Sequence, residues 1–194
     1  MSIAADDVQH CSYLKVLHLE GNRLQGFAAL ASLPRLARLY LGCNRLTSVP
    51  QASAQGFTGL RSLDLSFNFV PAEALFGTVS VLPQLPRLRE LDASGNELLH
   101  LPASIVGFTA LQTLNLSFNK LSDKCLLSLA KLPALESLVL VKNALTAATD
   151  SRSLGFESFK ALQTLDLSCN KIRCVPFCAC LPAPSCTLQL IIPA

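Results

Sequence analysis

Tryptophan is absent from the chain, methionine occurs once, tyrosine twice, and charged residues make up only 15% of its 194 positions. The 16 lysines and arginines are scattered rather than gathered in a run, and Tyr40 is the one aromatic expected at the middle of a strand face. Nucleic acid, which calls for a basic stripe with stacking platforms, is therefore not an expected partner. No run of eighteen apolar residues is present, so no membrane-spanning helix is expected. The opening MSIAADDVQHCSYLK places two acids where a secretory leader needs bases and has no apolar middle, which points to a cytoplasmic chain.

Groupings that could do chemistry are equally sparse. His10, His18 and His100 sit in separate segments without a matched nucleophile and acid. Ser-x-x-Lys spacing occurs at Ser117 to Lys120, Ser128 to Lys131 and Ser168 to Lys171, but the first and last fall inside a repeated pattern that explains them. GFTGL is a turn, not a phosphate-binding loop. The expectation is a protein without catalysis, cofactor or metal.

What the chain does have is leucine at fixed intervals. LKVLHLEGNRL, LARLYLGCNRL, LRSLDLSFNFV, LRELDASGNEL, LQTLNLSFNKL, LESLVLVKNAL and LQTLDLSCNKI are seven copies of one pattern, with asparagines at 22, 44, 68, 96, 119, 143 and 170. Within each copy x-Leu-x-Leu-x alternates with period two, as in a short strand with one face buried. Leu17 and Leu19 should point inward, His18 and Glu20 outward. A lone five-residue strand cannot bury its leucines, so the copies must stack into a parallel ladder around a leucine column. Each buried leucine contributes roughly 1.5–3 kcal/mol. The asparagine falls where the chain turns inward, and its amide can satisfy backbone groups that have left the ladder.

The return segments carry helix and turn signals. In PAEALFGTVSVLPQLPR, Leu75, Val79 and Leu82 fall at helical spacing before Pro83 and Pro86; in SDKCLLSLAKLPA, Ser122 can cap, Leu126 and Leu129 face the column, and Pro133 ends the run. TSVPQASAQGFTG and HLPASIVGFTA read as tight, partly 3₁₀ turns. Residues 1–13 form an extension without a recognisable cap, 14–173 the seven-repeat domain, and 174–194 an uncharged tail rich in cysteine and proline. Its cysteines, Cys174, Cys178, Cys180 and Cys186, lack paired C-x-x-C spacing and a nearby histidine, which argues against zinc. Ala93 stands where the other copies have a leucine, leaving room for a neighbour to fill.

These motifs resemble the leucine-rich-repeat superfamily, LDLSFN, LNLSFNKL and LDLSCNKI most closely. The resemblance implies an α/β fold: a right-handed, horseshoe-shaped solenoid with a parallel sheet on its concave face and mixed helices and turns on its convex face. Without a leader and matching cysteine caps, the chain is similar to the intracellular members, which serve as protein-binding scaffolds, phosphatase regulators and parts of cilia and flagella. SLDLSFNFVPAEALFGTVSVLPQLPRLRELDASGNELLHLP also resembles the repeat region of the X-ray radiation resistance-associated family, and PFCACL the start of an extracellular C-terminal cap. Open solenoid ends expose leucines, so further repeats or capping segments of a longer native chain are expected.

The outward strand positions supply the expected binding face. His18, Tyr40, Asp64, Asp92, Asn115 and Asp166 lie in its middle row, and Arg38, Glu90, Phe67, Phe118 and Lys142 flank them. A curved rigid sheet suits one elongated protein better than a small molecule. The expectation is therefore a non-catalytic module that binds another protein on its concave face. Two alternatives remain open, a modulator of a phosphatase or GTPase and a fragment of an extracellular receptor.

Overall fold

The computed structural model describes residues 8, 10–51, 56–146 and 159–172. Seven three-residue strands pair in chain order as one parallel sheet: β1 (Val16–His18), β2 (Arg38–Tyr40), β3 (Ser62–Asp64), β4 (Glu90–Asp92), β5 (Thr113–Asn115), β6 (Ser137–Val139) and β7 (Thr164–Asp166). The register sets Leu17, Leu39, Leu63, Leu91, Leu114, Leu138 and Leu165 side by side. From Leu39 onward this row is buried, and so is the next inward row of Leu41, Leu65, Ala93, Leu116, Leu140 and Leu167. Leu17 and Leu19 are only half-buried, since the first repeat is stacked on one side alone. The result is an open α/β solenoid in which stacking, not any single turn, makes the core.

The strands are shorter than the expected five residues, but their pairing continues past them. Leu41 N–H donates to Asp64 O and Cys43 N–H to Ser66 O, at 2.8 and 2.9 Å, and equivalent bonds join the other repeats. The residue before each asparagine then takes a left-handed conformation. Gly21, Cys43, Phe67, Gly95, Phe118, Lys142 and Cys169 all have φ between 49° and 69°. Five of the seven are not glycine, and each costs about 1–3 kcal/mol unless its surroundings hold it there.

The asparagines supply that hold. In each repeat from the second on, Asn Oδ1 accepts an N–H from the preceding repeat, at Leu24, Leu46, Val70, Leu98, Leu121 and Leu145 in turn, over 2.9–3.1 Å. Nδ2 donates to one carbonyl of the preceding repeat and to another three residues back in its own. Asn44, Asn68, Asn96, Asn119 and Asn143 are buried. Among the described residues, no buried side-chain nitrogen or oxygen lacks a partner.

Opposite the sheet, phenylalanines complete the core. Phe27 and Phe57 meet at 5.9 Å between ring centres, Phe76 and Phe108 at 5.8 Å, and all four are buried. Glycine precedes three of them, and at two, Gly56 and Gly107, the backbone of the previous repeat lies against that position. A Cβ on Gly107, at φ +87°, would stand 2.3 Å from Pro83 O, and one on Gly56 2.3 Å from Ala31 O.

The returns differ from the sequence expectation in extent. α1 (Ala72–Phe76) stops at Gly77 instead of running to Leu82, so Val79 is exposed, and a separate 3₁₀ turn forms at Leu82–Gln84. Gly77 N–H donates to Glu73 O, and a Cβ there would meet that same oxygen at 2.3 Å. The helix thus ends where Gly77 turns to an extended conformation, ψ 164°, before either proline is reached. Ser122 does not cap α2 (Cys125–Leu129) through its side chain; its carbonyl accepts the Cys125 N–H at 3.0 Å. Asp123 instead bridges to the next repeat, accepting from Thr146 N and Oγ1 at 2.9 and 2.6 Å. The HLPASIVGFTA segment contains no 3₁₀ turn, whereas Ala28–Ser32 does. The tail cysteines lie outside the described residues.

Three outcomes follow from this packing. Asn119→Leu should lower unfolding free energy by about 3–5 kcal/mol, because it strands the N–H groups of Asn96 and Leu98 and removes one of the two amide donors to the Ala93 carbonyl; urea melts measure it, and a stabilised variant would refute the role of the amide. Gly107→Ala should cost about 2–4 kcal/mol, while Gly26→Ala, with nothing within 4 Å of the new Cβ, should be near neutral. Burial, reinforced by the Asp123 carboxylate, pushes the Cys125 thiol up to about 12. Alkylation mapped by peptide should therefore label exposed Cys43 and Cys169 in the native protein, and Cys125 only after denaturation.

Candidate functional site

The concave sheet brings six of the expected residues into one row. His18 and Tyr40 stack, with ring centres 4.5 Å apart and planes 8° from parallel. His18 Nδ1 lies 3.0 Å from Glu20 Oε1, and this hydrogen bond is the main cause holding the Glu20 carboxyl below its ordinary range. Asp64 pairs with Asp92 across β3 and β4, and Asp92 with Asn115 across β4 and β5. Val139 separates Asn115 from Asp166.

Part of this row is occupied in closing its own backbone. Asp64, Asp92, Asn115 and Asp166 each accept the N–H two residues on, from Ser66, Ser94, Ser117 and Ser168, at 2.8–3.0 Å. Ser94 Oγ and Ser168 Oγ also donate to these carboxylates. Asn115 Nδ2 donates to Asp92 Oδ2 at 2.8 Å, which ties the two strands sideways. The side chains are thus pinned in one orientation before any partner arrives. Tyr40, Asp64, Glu90, Asp92, Asn115 and Val139 line a shallow depression of about 430 Å³ among them.

The flanking residues do not all share this floor. Arg38 and Glu90 are exposed at the starting ends of β2 and β4, with Ser62 of β3 between them. Phe67, Phe118 and Lys142 sit in the left-handed turns past the other ends of the strands and form a ridge of their own. The two rings meet at 5.9 Å, and Lys142 Nζ lies 5.0 Å from the Phe118 ring centre. Gly95 makes room between them, since a Cβ there would stand 2.6 Å from Phe67 Cδ1.

Two Ser-x-x-Lys pairs are not coupled: Lys120 Nζ bonds Glu97 at 3.1 Å, and Lys131 Nζ donates to Ala103 O at 2.9 Å. Among the described residues no three of His, Cys, Asp and Glu converge on a metal-sized point. No helix among them is long and apolar enough to cross a membrane.

One feature escaped the sequence reading, which took the basic residues as scattered over both faces. Lys15, Arg35, Arg61 and Arg87 line one depression at the starting ends of the strands. Lys15 and Arg61 share one repeat position and Arg35 and Arg87 another, each pair two repeats apart along the chain at 46 and 52 residues, and that spacing was the available signal.

The leucine-rich-repeat family model matches residues 34–98 and 86–145, and a second model of the same repeat matches 161–181. Podocan-like protein 1 of Homo sapiens is 34% identical over 178 residues, covering 91% of this chain and 33% of that protein. Osteomodulin of Rattus norvegicus is 32% identical over 135 residues, covering 69% and 30%. Tubulin-folding cofactor E of Arabidopsis thaliana is 31% identical over 179 residues, covering 82% and 32%. This chain therefore spans about a third of the length of these relatives. Internalin C2 of Listeria monocytogenes superposes with a TM-score of 0.68 at 25% identity, over 96% of this chain and 74% of that one. Repeats, register, asparagine ladder and family match agree: the chain belongs to the leucine-rich-repeat family.

Proposed function

We propose that this protein-interaction module binds its partner across the concave sheet and performs no chemistry of its own. The observation that carries the reading is the preset row of His18, Tyr40, Asp64, Asp92 and Asn115, held by hydrogen bonds and ring stacking on a parallel ladder. Six inter-strand steps at about 4.7–4.9 Å make the sheet roughly 29 Å wide, which matches an elongated protein segment. Little ordering entropy remains to be lost on binding, and that favours affinity. Arg38 and Tyr40 are of the residue types that anchor interfaces, and Glu90, Asp166 and the ridge of Phe67, Phe118 and Lys142 give the surrounding polar and aromatic contacts. An apolar pocket for a small substrate is not what lines the floor; carboxylates and an amide are.

An affinity pull-down tests this. Changing Arg38, Tyr40, Asp64 and Phe118 together to Ala should reduce partner recovery about tenfold or more while thermal unfolding keeps a single transition. Undiminished recovery would reject the concave face. If the captured partner is an enzyme, an unchanged turnover on adding this chain supports a scaffold, and an altered one assigns a regulatory role.

A further inference from the structure

The strand-start flank of the first four repeats carries an anion cradle that the concave face does not include. Lys15, Arg61 and Arg89 each immediately precede a strand, and the carbonyl of each accepts two N–H groups from the next repeat: Ala37 and Arg38 at Lys15, Arg89 and Glu90 at Arg61, Gln112 and Thr113 at Arg89. Their backbones are therefore fixed by the ladder itself. In the adjoining row, Arg35 and Arg87 stand on either side of Gly59, which has no side chain to fill the gap. Two strand spacings, about 9.5 Å, separate the two arginine positions. The resulting depression, about 430 Å³, is lined by Lys15, Arg35, Arg61 and Arg87 together with Pro34, Ala37 and Gly59.

All five cations are exposed, and among the described residues none forms an ion pair; the ion pairs there are His18 with Glu20 and Lys120 with Glu97. Arg35 rests over the Tyr13 ring, 4.8 Å from its centre, which steadies the guanidinium without neutralising it. The arrangement is confined to one end of the solenoid. At the same positions repeats five to seven have Ala110 and Gln112, Ala134 and Glu136, and Ala161 and Gln163, and Gln112 Nε2 donates to Glu136 Oε1 at 2.9 Å.

We infer that this cradle docks an acidic segment, a short run of Asp and Glu, of a partner protein. Guanidinium groups bind carboxylates through paired N–H donors, and four cations around one hollow repel one another until an anion enters. The neighbouring floor decides the class of anion. Asp64, Glu90 and Asp92 begin where the cradle ends, so a uniformly charged polyanion lying across the concave side would meet repulsion. A polypeptide can change sign within a few residues. Tyr13, the aromatic beside the cradle, has one face under Arg35 and is otherwise exposed, and a single ring gives no row of platforms for successive bases. The inference does not depend on the concave-face reading, because the two sites use different residues and can be removed separately.

Fluorescence anisotropy with a peptide of four glutamates flanked by serines, a short DNA duplex and a heparin hexasaccharide tests it on the intact chain. The peptide should bind saturably, more tightly than the duplex or the sugar, and weaken steeply as salt screens the contact. Arg35→Gln, Arg61→Gln and Arg87→Gln together should weaken it about tenfold or more. A control replacing Lys120, Lys124 and Lys131 by Gln should leave it unchanged, as should the four-residue concave variant described above. No saturable peptide binding, tighter binding of duplex or sugar, or an unaffected arginine variant would overturn the inference. Should the triple variant fail to fold, Arg87→Gln alone, with Arg87→Lys as its charge-preserving counterpart, gives the same comparison.

Discussion

The asparagine amide at the end of each strand is the constraint on which the architecture rests. At that point the chain leaves the ladder through a left-handed residue, and backbone groups of two successive repeats lose their regular partners. A single planar amide offers one acceptor and two donor hydrogens, and here both ends are used. Without it each turn would bury several unpaired N–H and C=O groups at about 1–3 kcal/mol each, more than one repeat gains from an added leucine. Once the turn is held, non-glycine residues are tolerated at positive φ. Phe67, Phe118 and Lys142 can then project from a row where glycine would otherwise be expected.

The outer surface divides into three chemically distinct strips along the strand direction. Cations occupy the starting ends of the first four strands, carboxylates and amides the middle row, and two phenylalanines with a lysine the turns beyond. Each strip repeats at the strand spacing because register fixes it. The alternation of sign over a few ångströms favours a partner whose own charge varies along its length, and disfavours one of uniform charge.

Much of this was legible in the sequence. Strand positions, their parallel order and the inward leucines follow from period-two alternation recurring in seven copies, and the sheet register agrees residue by residue. The middle row of the concave face was equally readable, since outward positions alternate with buried ones. What was not readable depended on contacts between repeats. α1 ends where Gly77 turns to an extended conformation at ψ 164°, which apolar spacing at Leu75, Val79 and Leu82 cannot reveal. Phe57 and Phe108 each stand six residues before a strand leucine, but Phe27 and Phe76 stand 12 and 15 before theirs, so the phenylalanine layer was missed and only packing brings the pairs together. The cradle of Lys15, Arg35, Arg61 and Arg87 escaped because its members alternate between two repeat positions and stand 20 to 26 residues apart along the chain.

The asparagine bonds also run one way. Asn68 secures Leu46 N–H and Leu41 O of the repeat before it, Asn96 secures Val70 N–H and Leu65 O, and so on to Asn170, which secures Leu145 N–H and Leu140 O. Each of these asparagine side chains reaches back to the repeat before it and none reaches forward. The two ends of the stack are consequently unequal in how they come apart. Peeling a repeat from the β7 side leaves a main-chain N–H of the neighbour without its asparagine oxygen, whereas peeling from the β1 side frees a side-chain carboxamide along with main-chain N–H groups such as those of Ala37, Arg38 and Arg45. The two faces that a lost repeat uncovers are thus chemically different, a polarity written into the stack by one amide per turn.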